Sequence, residues 1–313
     1  ENGGRRFRAP LEPLYIDVTA DLTGKLKTAL HAIEAYAPTA GADDPPYVVP
    51  AYELRRTLAL ALVLHRAAAI TSPIAGYTFV SDCDKHAAID LDAQAIDTFV
   101  GSGDFASAID QYKNGGFSVK GAGYRTLKGF STDLSEATKG FTTPEWKMGV
   151  DYWGADTYAN TIVMDALNGS AYAPFGATSV VLTDTQRDQI VTKGVAYINS
   201  WIYSLYELNS AVYKCTIGNT ADLTGAPHAW DEGWAFYAGS LQSEGGTDGY
   251  LGYTLAEKRC TQFGTCGSAG ISSDSADRPS LVNRNLLYLY NLGLERRGAA
   301  DGTGVHRAGC IAR

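Results

Sequence analysis

The chain has 313 residues, with 34 acidic against 26 basic side chains and a formal net charge of −8. Hydrophobic residues make up 45% and charged residues 19%. That balance excludes a disordered or collagen-like chain and predicts a sizeable core in one large domain or two moderate ones. A net acidic chain is poorly suited to nucleic acid as its main partner, because phosphate binding needs Lys and Arg in excess. It is compatible with binding cations.

The first residues, Glu1 to Pro13, are basic and punctuated by Pro and Gly, and read as an arm. From residue 14 to 313 the sequence reads as a single, mainly α, compact bundle-like domain, with halves at 14–180 and 181–313 as an option. Leu22, Leu26, Leu30 and Ile33 recur at helical spacing, so Leu22 to Tyr36 is predicted as a helix closed by Pro38 and Gly41. Tyr52 to Ile70 reads as a second, more buried helix. Its apolar stretch from Leu58 is broken by His65 and Arg66, too short and too charged to span a bilayer.

Thr183 to Lys214 is the clearest helix. Thr183 and Gln186 form a capping box, and Val191, Val195, Ile198, Ile202 and Leu205 trace one seam for packing in a bundle. Two more helices are predicted at Pro227 to Leu241 and Pro279 to Leu294. Gly- and Ser-rich loops are expected at Gly101 to Gly103, Asn114 to Gly123, Leu167 to Ser179 and Gly264 to Asp277. Tyr47 to Val49 and Ser179 to Leu182 are the best strand candidates.

The chain begins at Glu1 with no apolar segment behind it, which reads as a processed mature protein. Five cysteines without C-x-x-C spacing, 19 tyrosines, two methionines and the sequon at Asn168-Gly169-Ser170 lean toward an oxidising, extracytoplasmic compartment. Cys260 and Cys266 are near enough in sequence to bridge, but connectivity is not readable from spacing.

The string Ala-Asp-Leu-Thr-Gly occurs at Ala20 to Gly24 and again at Ala221 to Gly225, each followed by His-Ala-x-acid. The first copy leads to His31 and Glu34, the second to His228, Asp231 and Glu232. On a helix, residues three or four apart share a face, so each segment offers an imidazole and a carboxylate together. Two such arms resemble, in reversed order, the Glu-x-x-His pairs that hold iron or manganese in helical bundles. Imidazole with carboxylate suits iron, manganese or zinc. His31 and Glu34 also fit an ordinary solvated helix face. Asp231 and Glu232 stand among Trp230, Trp234, Phe236 and Tyr237, where a buried carboxylate needs a metal, an Arg or a network of hydroxyls.

Other groups read as structural. Asp151, Asp156 and Asp165 lie near aromatics and could add ligands or simply hydrogen-bond. Glu257-Lys258-Arg259 reads as an ion-pair cluster. His86, after Asp82-Cys83-Asp84, reads as loop surface, and His306 sits in a Gly-rich tail. The sequence contains no nucleophile elbow, Walker loop, dinucleotide fingerprint, H-E-x-x-H or haem-attachment motif.

The segment Pro227-His228-Ala229-Trp230-Asp231-Glu232-Gly233-Trp234-Ala235-Phe236-Tyr237, with Ala256 to Cys260 and Phe263 to Cys266 downstream, resembles the iron-assimilating, high-CO2-inducible periplasmic (FEA-type) proteins of green algae. The resemblance is specific over Thr183 to Cys266. It implies an algal, secreted or periplasmic protein that binds iron and helps assimilate it, with no established catalytic reaction. Glu-x-x-Glu iron motifs are discussed for that family, and none occurs here. The expected metal ligands are therefore His228, Asp231 and Glu232, joined by His31 and Glu34 through the repeat. The leading expectation is an extracytoplasmic iron-binding protein, with manganese or zinc as alternatives, and with any membrane receptor or cell-wall partner undefined. The rivals are a metal-dependent enzyme using the same cluster and a non-catalytic cell-surface interaction protein.

Overall fold

A computed structural model of the chain describes residues 73–295, apart from 170, 174, 176–177 and 268–271. All of these belong to one compact unit spanning residues 63–313. The helices expected at Leu22 to Tyr36 and Tyr52 to Ile70, the first copy of the repeat and the strand candidate at Tyr47 to Val49 lie outside the described residues.

The mainly α expectation holds: among the described residues, nine helices of ten residues or more carry the fold, with two short hairpins. Following a helical turn at Asp84–Ala87, α1 (Ile89–Gly101) buries Ile89, Ala93, Ile96 and Val100, a helical period that points one face inward. Asp104 caps α2 (Phe105–Asn114) by accepting the Ser107 N–H at 3.0 Å. Strands β1 (Val119–Lys120) and β2 (Gly123–Tyr124) then pair antiparallel, Val119 opposite Tyr124. Helix α3 (Pro144–Trp153) starts on proline and stops at the left-handed Gly154. It is followed by α4 (Tyr158–Asn168) and a second hairpin of β3 (Ala171–Tyr172) and β4 (Val180–Val181). β4 lies inside the predicted Ser179 to Leu182 strand.

The predicted long helix from Thr183 is present in three consecutive parts. Helix α5 (Asp184–Gly194) begins with the Thr183–Gln186 capping box, a π-helical turn covers Val195–Ser200, and α6 (Trp201–Thr216) continues. Val191, Val195 and Ile202 of the expected seam are buried. Helix α7 (Ala226–Ala238) is apolar on nearly every side and runs through the middle of the core. It lies close against α6, where the Ser200 and Ser204 hydroxyls each donate at 2.7 Å to the carbonyls of Phe236 and Gly233. Helix α8 (Gly252–Phe263) ends at the left-handed Gly264, beside the Cys260–Cys266 disulfide. Helix α9 (Leu281–Glu295) completes the described chain.

Phe236 of α7 faces a cluster built from α1, α2, α4 and α5, including Ile96, Tyr112, Val163 and Val191. Trp234 and Tyr237 face another with Tyr77, Phe79, Tyr253 and Tyr290. A polar residue on α7 is therefore surrounded by protein, and its charge has to be balanced locally.

Candidate metal centre

On α7, His228 and Glu232 stand four residues apart and share a face. Opposite them, the turn at Asp84–Ala87 presents His86, which is 8% exposed. His86 was expected on a loop surface. It is buried because Ala87 and Ile89 lead directly into the inward face of α1 and draw the turn into the core. Its Nε2 lies 2.7 Å from Glu232 Oε1, and His228 Nε2 lies 3.6 Å from the same oxygen. The two imidazoles meet edge to face with centroids 5.3 Å apart. One donor atom from each of His86, His228 and Glu232 falls within 4.8 Å of the others, close enough to share one cation.

Asp231 sits next door in a different role. Its Oδ1 accepts from the Tyr77 hydroxyl at 2.7 Å. Its Oδ2 accepts from the Val80 N–H at 2.9 Å, the Ser81 N–H at 2.7 Å and the Ser81 hydroxyl at 2.9 Å. Burial pushes its carboxyl up from the ordinary carboxylate range, and these donors pull it back down. With both oxygens occupied, Asp231 anchors the Tyr77–Ser81 segment rather than joining the His–His–Glu group. Of the sequence candidates, the structure brings together His228 and Glu232, places Asp231 one layer behind them, and adds His86. His31 and Glu34 lie outside the described residues. Asp151 pairs on the surface with Lys147.

Ser81 ties the two layers together. Its hydroxyl proton goes to Asp231, a carboxylate that can only accept. Its oxygen, 2.8 Å from His228 Nδ1, must then accept from that nitrogen. The proton of neutral His228 is thereby fixed on Nδ1, and the Nε2 lone pair is aimed at Glu232. Burial first of all pushes His228 below the ordinary imidazole value, against the pull of Glu232, so the ring is neutral at neutral pH. A lone pair facing a carboxylate is repulsive unless a cation lies between them.

His86 reinforces this. Its Nε2 touches both Glu232 and the guanidinium Nη2 of Arg125, and among the described residues its buried Nδ1 has no hydrogen-bond partner. With its proton on Nε2 the ring opposes Arg125. With the proton on Nδ1 it opposes Glu232. Neither tautomer suits both neighbours.

Glu232 is held below the usual carboxylate range although burial opposes this, because His86 hydrogen-bonds to it and attracts it and Lys214 adds a further positive charge. Behind it, the buried Glu207 of α6 is pushed well above that range by burial and then by Glu232. Burial thus favours the neutral form of Glu207 beside Glu232. Cys83, the free thiol of the described residues, lies 3.6 Å from Ser81 Oγ, and burial pushes it up so that it stays protonated.

The fold and this cluster define a helical protein with a partly buried His–His–carboxylate group. The family of low iron-inducible periplasmic proteins matches residues 57–265, about two thirds of the chain, and the chain belongs to that family. It is accordingly a periplasmic protein, as the extracytoplasmic expectation held. No curated protein and no solved structure matches the chain. Among the described residues no helix is long and apolar enough to cross a membrane.

Proposed function

We propose that this chain binds iron through His86, His228 and Glu232 and serves iron assimilation outside the cytoplasmic membrane. The observation that carries the reading is the Asp231–Ser81–His228 relay, which holds a neutral imidazole with its lone pair turned toward a carboxylate. Behind metal-bound histidines, a hydrogen-bonded partner on the far ring nitrogen fixes the tautomer and raises ligand basicity in the same way. Two imidazoles and one carboxylate suit a borderline cation such as Fe(II), and they leave coordination positions open. The membership in a low iron-inducible family supports iron over manganese or zinc as the physiological cargo. An open, exchangeable coordination sphere fits a protein that takes up iron and hands it on.

Equilibrium dialysis with Fe(II) under anoxic conditions tests the assignment. The wild type is expected to retain one iron per chain, and Glu232→Gln to retain none while keeping its helical circular dichroism. Full iron retention in Glu232→Gln would overturn it.

A further inference from the structure

Beside the metal cluster lies a cavity of about 470 Å³ whose charge is opposite to that of the whole chain. Its lining includes Lys120 of β1, Arg125 just after β2, Lys139 from the helical turn Glu136–Lys139, and Lys214 of α6. Glu207 and Glu232 form the acidic part of the wall. Four basic residues from separate segments thus converge on one space in a protein of net charge −8. Among the described residues, Lys120, Lys139 and Lys214 pair with no carboxylate at ion-pair distance. Lys139 instead rests over the Tyr206 ring, 5.3 Å from its centroid, and Arg125 is anchored by donating to the Val119 carbonyl at 2.8 Å. Glu207 and Glu232 are thus the two carboxylates of the lining set against four cations.

Like charges gathered around a low-dielectric cleft repel one another and concentrate counter-ions. The void holds roughly fifteen waters at ~30 Å³ each, far more than one small oxyanion fills. The cations are mainly lysine point charges spread over different elements, not the backbone nest or Arg fork that grips a single phosphate. Such spacing matches a molecule carrying several separated negative groups.

We propose that this cavity is a binding site for a small organic polyanion, a di- or tricarboxylate, seated against Glu232 at the edge of the metal cluster. The site goes beyond the metal reading and does not depend on it, because the cation excess is present without any metal. The ligand's carboxylates pair with Lys120, Lys139 and Lys214, while Arg125 marks the end nearest His86.

Calorimetric titration of the full, metal-stripped chain with citrate tests the proposal, with Lys120→Gln/Lys139→Gln as the variant and inorganic phosphate as the competing chemistry. The expected result is saturable binding of one citrate per chain, weakened at least tenfold in the variant and by added salt, with phosphate binding far more weakly. No saturable citrate binding, equal affinity in the variant, or phosphate binding as tight as citrate would each overturn it. Iron retention by the same variant separates the two sites: it is expected to stay at the wild-type level, so loss of citrate binding alone leaves the metal reading standing.

Discussion

Replacing Ser81 by Ala removes the atom that couples Asp231 to His228 while leaving every metal-ligand atom in place. Ser81 is 1% exposed, and its hydroxyl donates to Asp231 at 2.9 Å and accepts from His228 Nδ1 at 2.8 Å. The Ser81 N–H remains and still donates to Asp231 at 2.7 Å, so the segment stays anchored. The loss to the fold is about 1–3 kcal/mol, because one buried bond to a charged group disappears and His228 Nδ1 is left without an acceptor. At the site, His228 loses the constraint on its tautomer and ring orientation. Removing such outer partners weakens metal binding about 10- to 100-fold, or about 1.4–2.7 kcal/mol. Anoxic Fe(II) titration of the wild type and Ser81→Ala reads this directly, with thermal melts confirming that the variant is folded at the working temperature. Unchanged affinity in a folded Ser81→Ala chain would refute the relay.

Asp231→Asn is expected to act on stability instead of stoichiometry. An amide has one accepting oxygen where the carboxylate serves four donors, so about 2–5 kcal/mol is lost, visible as a lower Tm. Folded Asp231→Asn should still retain one iron, and its complete loss would restore Asp231 as a ligand. On acidification, protons compete for the same lone pairs. Since His228 and Glu232 are both held below their ordinary values, binding should persist through mildly acid pH, with a midpoint below the ordinary imidazole value of about 6.5. A midpoint above that value in a pH series of dialysis experiments would contradict the burial argument. Gly239 ends α7 at φ +83°, and a Cβ there would lie 2.5 Å from Asp90 Cβ. Gly239→Ala should therefore cost about 1–3 kcal/mol in denaturant unfolding through strain and overpacking, without altering iron retention. An unchanged unfolding midpoint would count against that packing.

What was legible in the sequence was local. The Thr183–Gln186 capping box needs only neighbours in the chain, and it is present as read. The predicted helix at Pro227 to Leu241 falls on α7, and the one at Pro279 to Leu294 falls on α9, each within a few residues. The i, i+4 relation of His228 and Glu232 was visible for the same reason. Asp231 could not be told from Glu232, because its donors lie 150 to 154 residues earlier in the chain. His86 was missed although Ala87, Ile89, Ala93 and Ile96 carry the apolar period that buries it; the acidic Asp82 and Asp84 masked that signal. The π-helical turn at Val195–Ser200 left no mark in the side-chain pattern, since Val191, Val195 and Ile202 keep their inward spacing through it. Glu257, read as part of an ion-pair cluster, is fully enclosed and accepts from the Ser280 N–H at 2.8 Å and the Asn283 amide at 2.6 Å.

X-ray absorption at the iron edge, on the Fe(II)-loaded full chain and on His86→Ala/His228→Ala, tests the metal centre most directly. Binding through His86, His228 and Glu232 predicts the outer-shell scattering of two imidazoles within a nitrogen and oxygen coordination sphere, lost in the double variant together with the bound iron. An iron site with no imidazole scattering, or the same spectrum and iron content in the double variant, would contradict it.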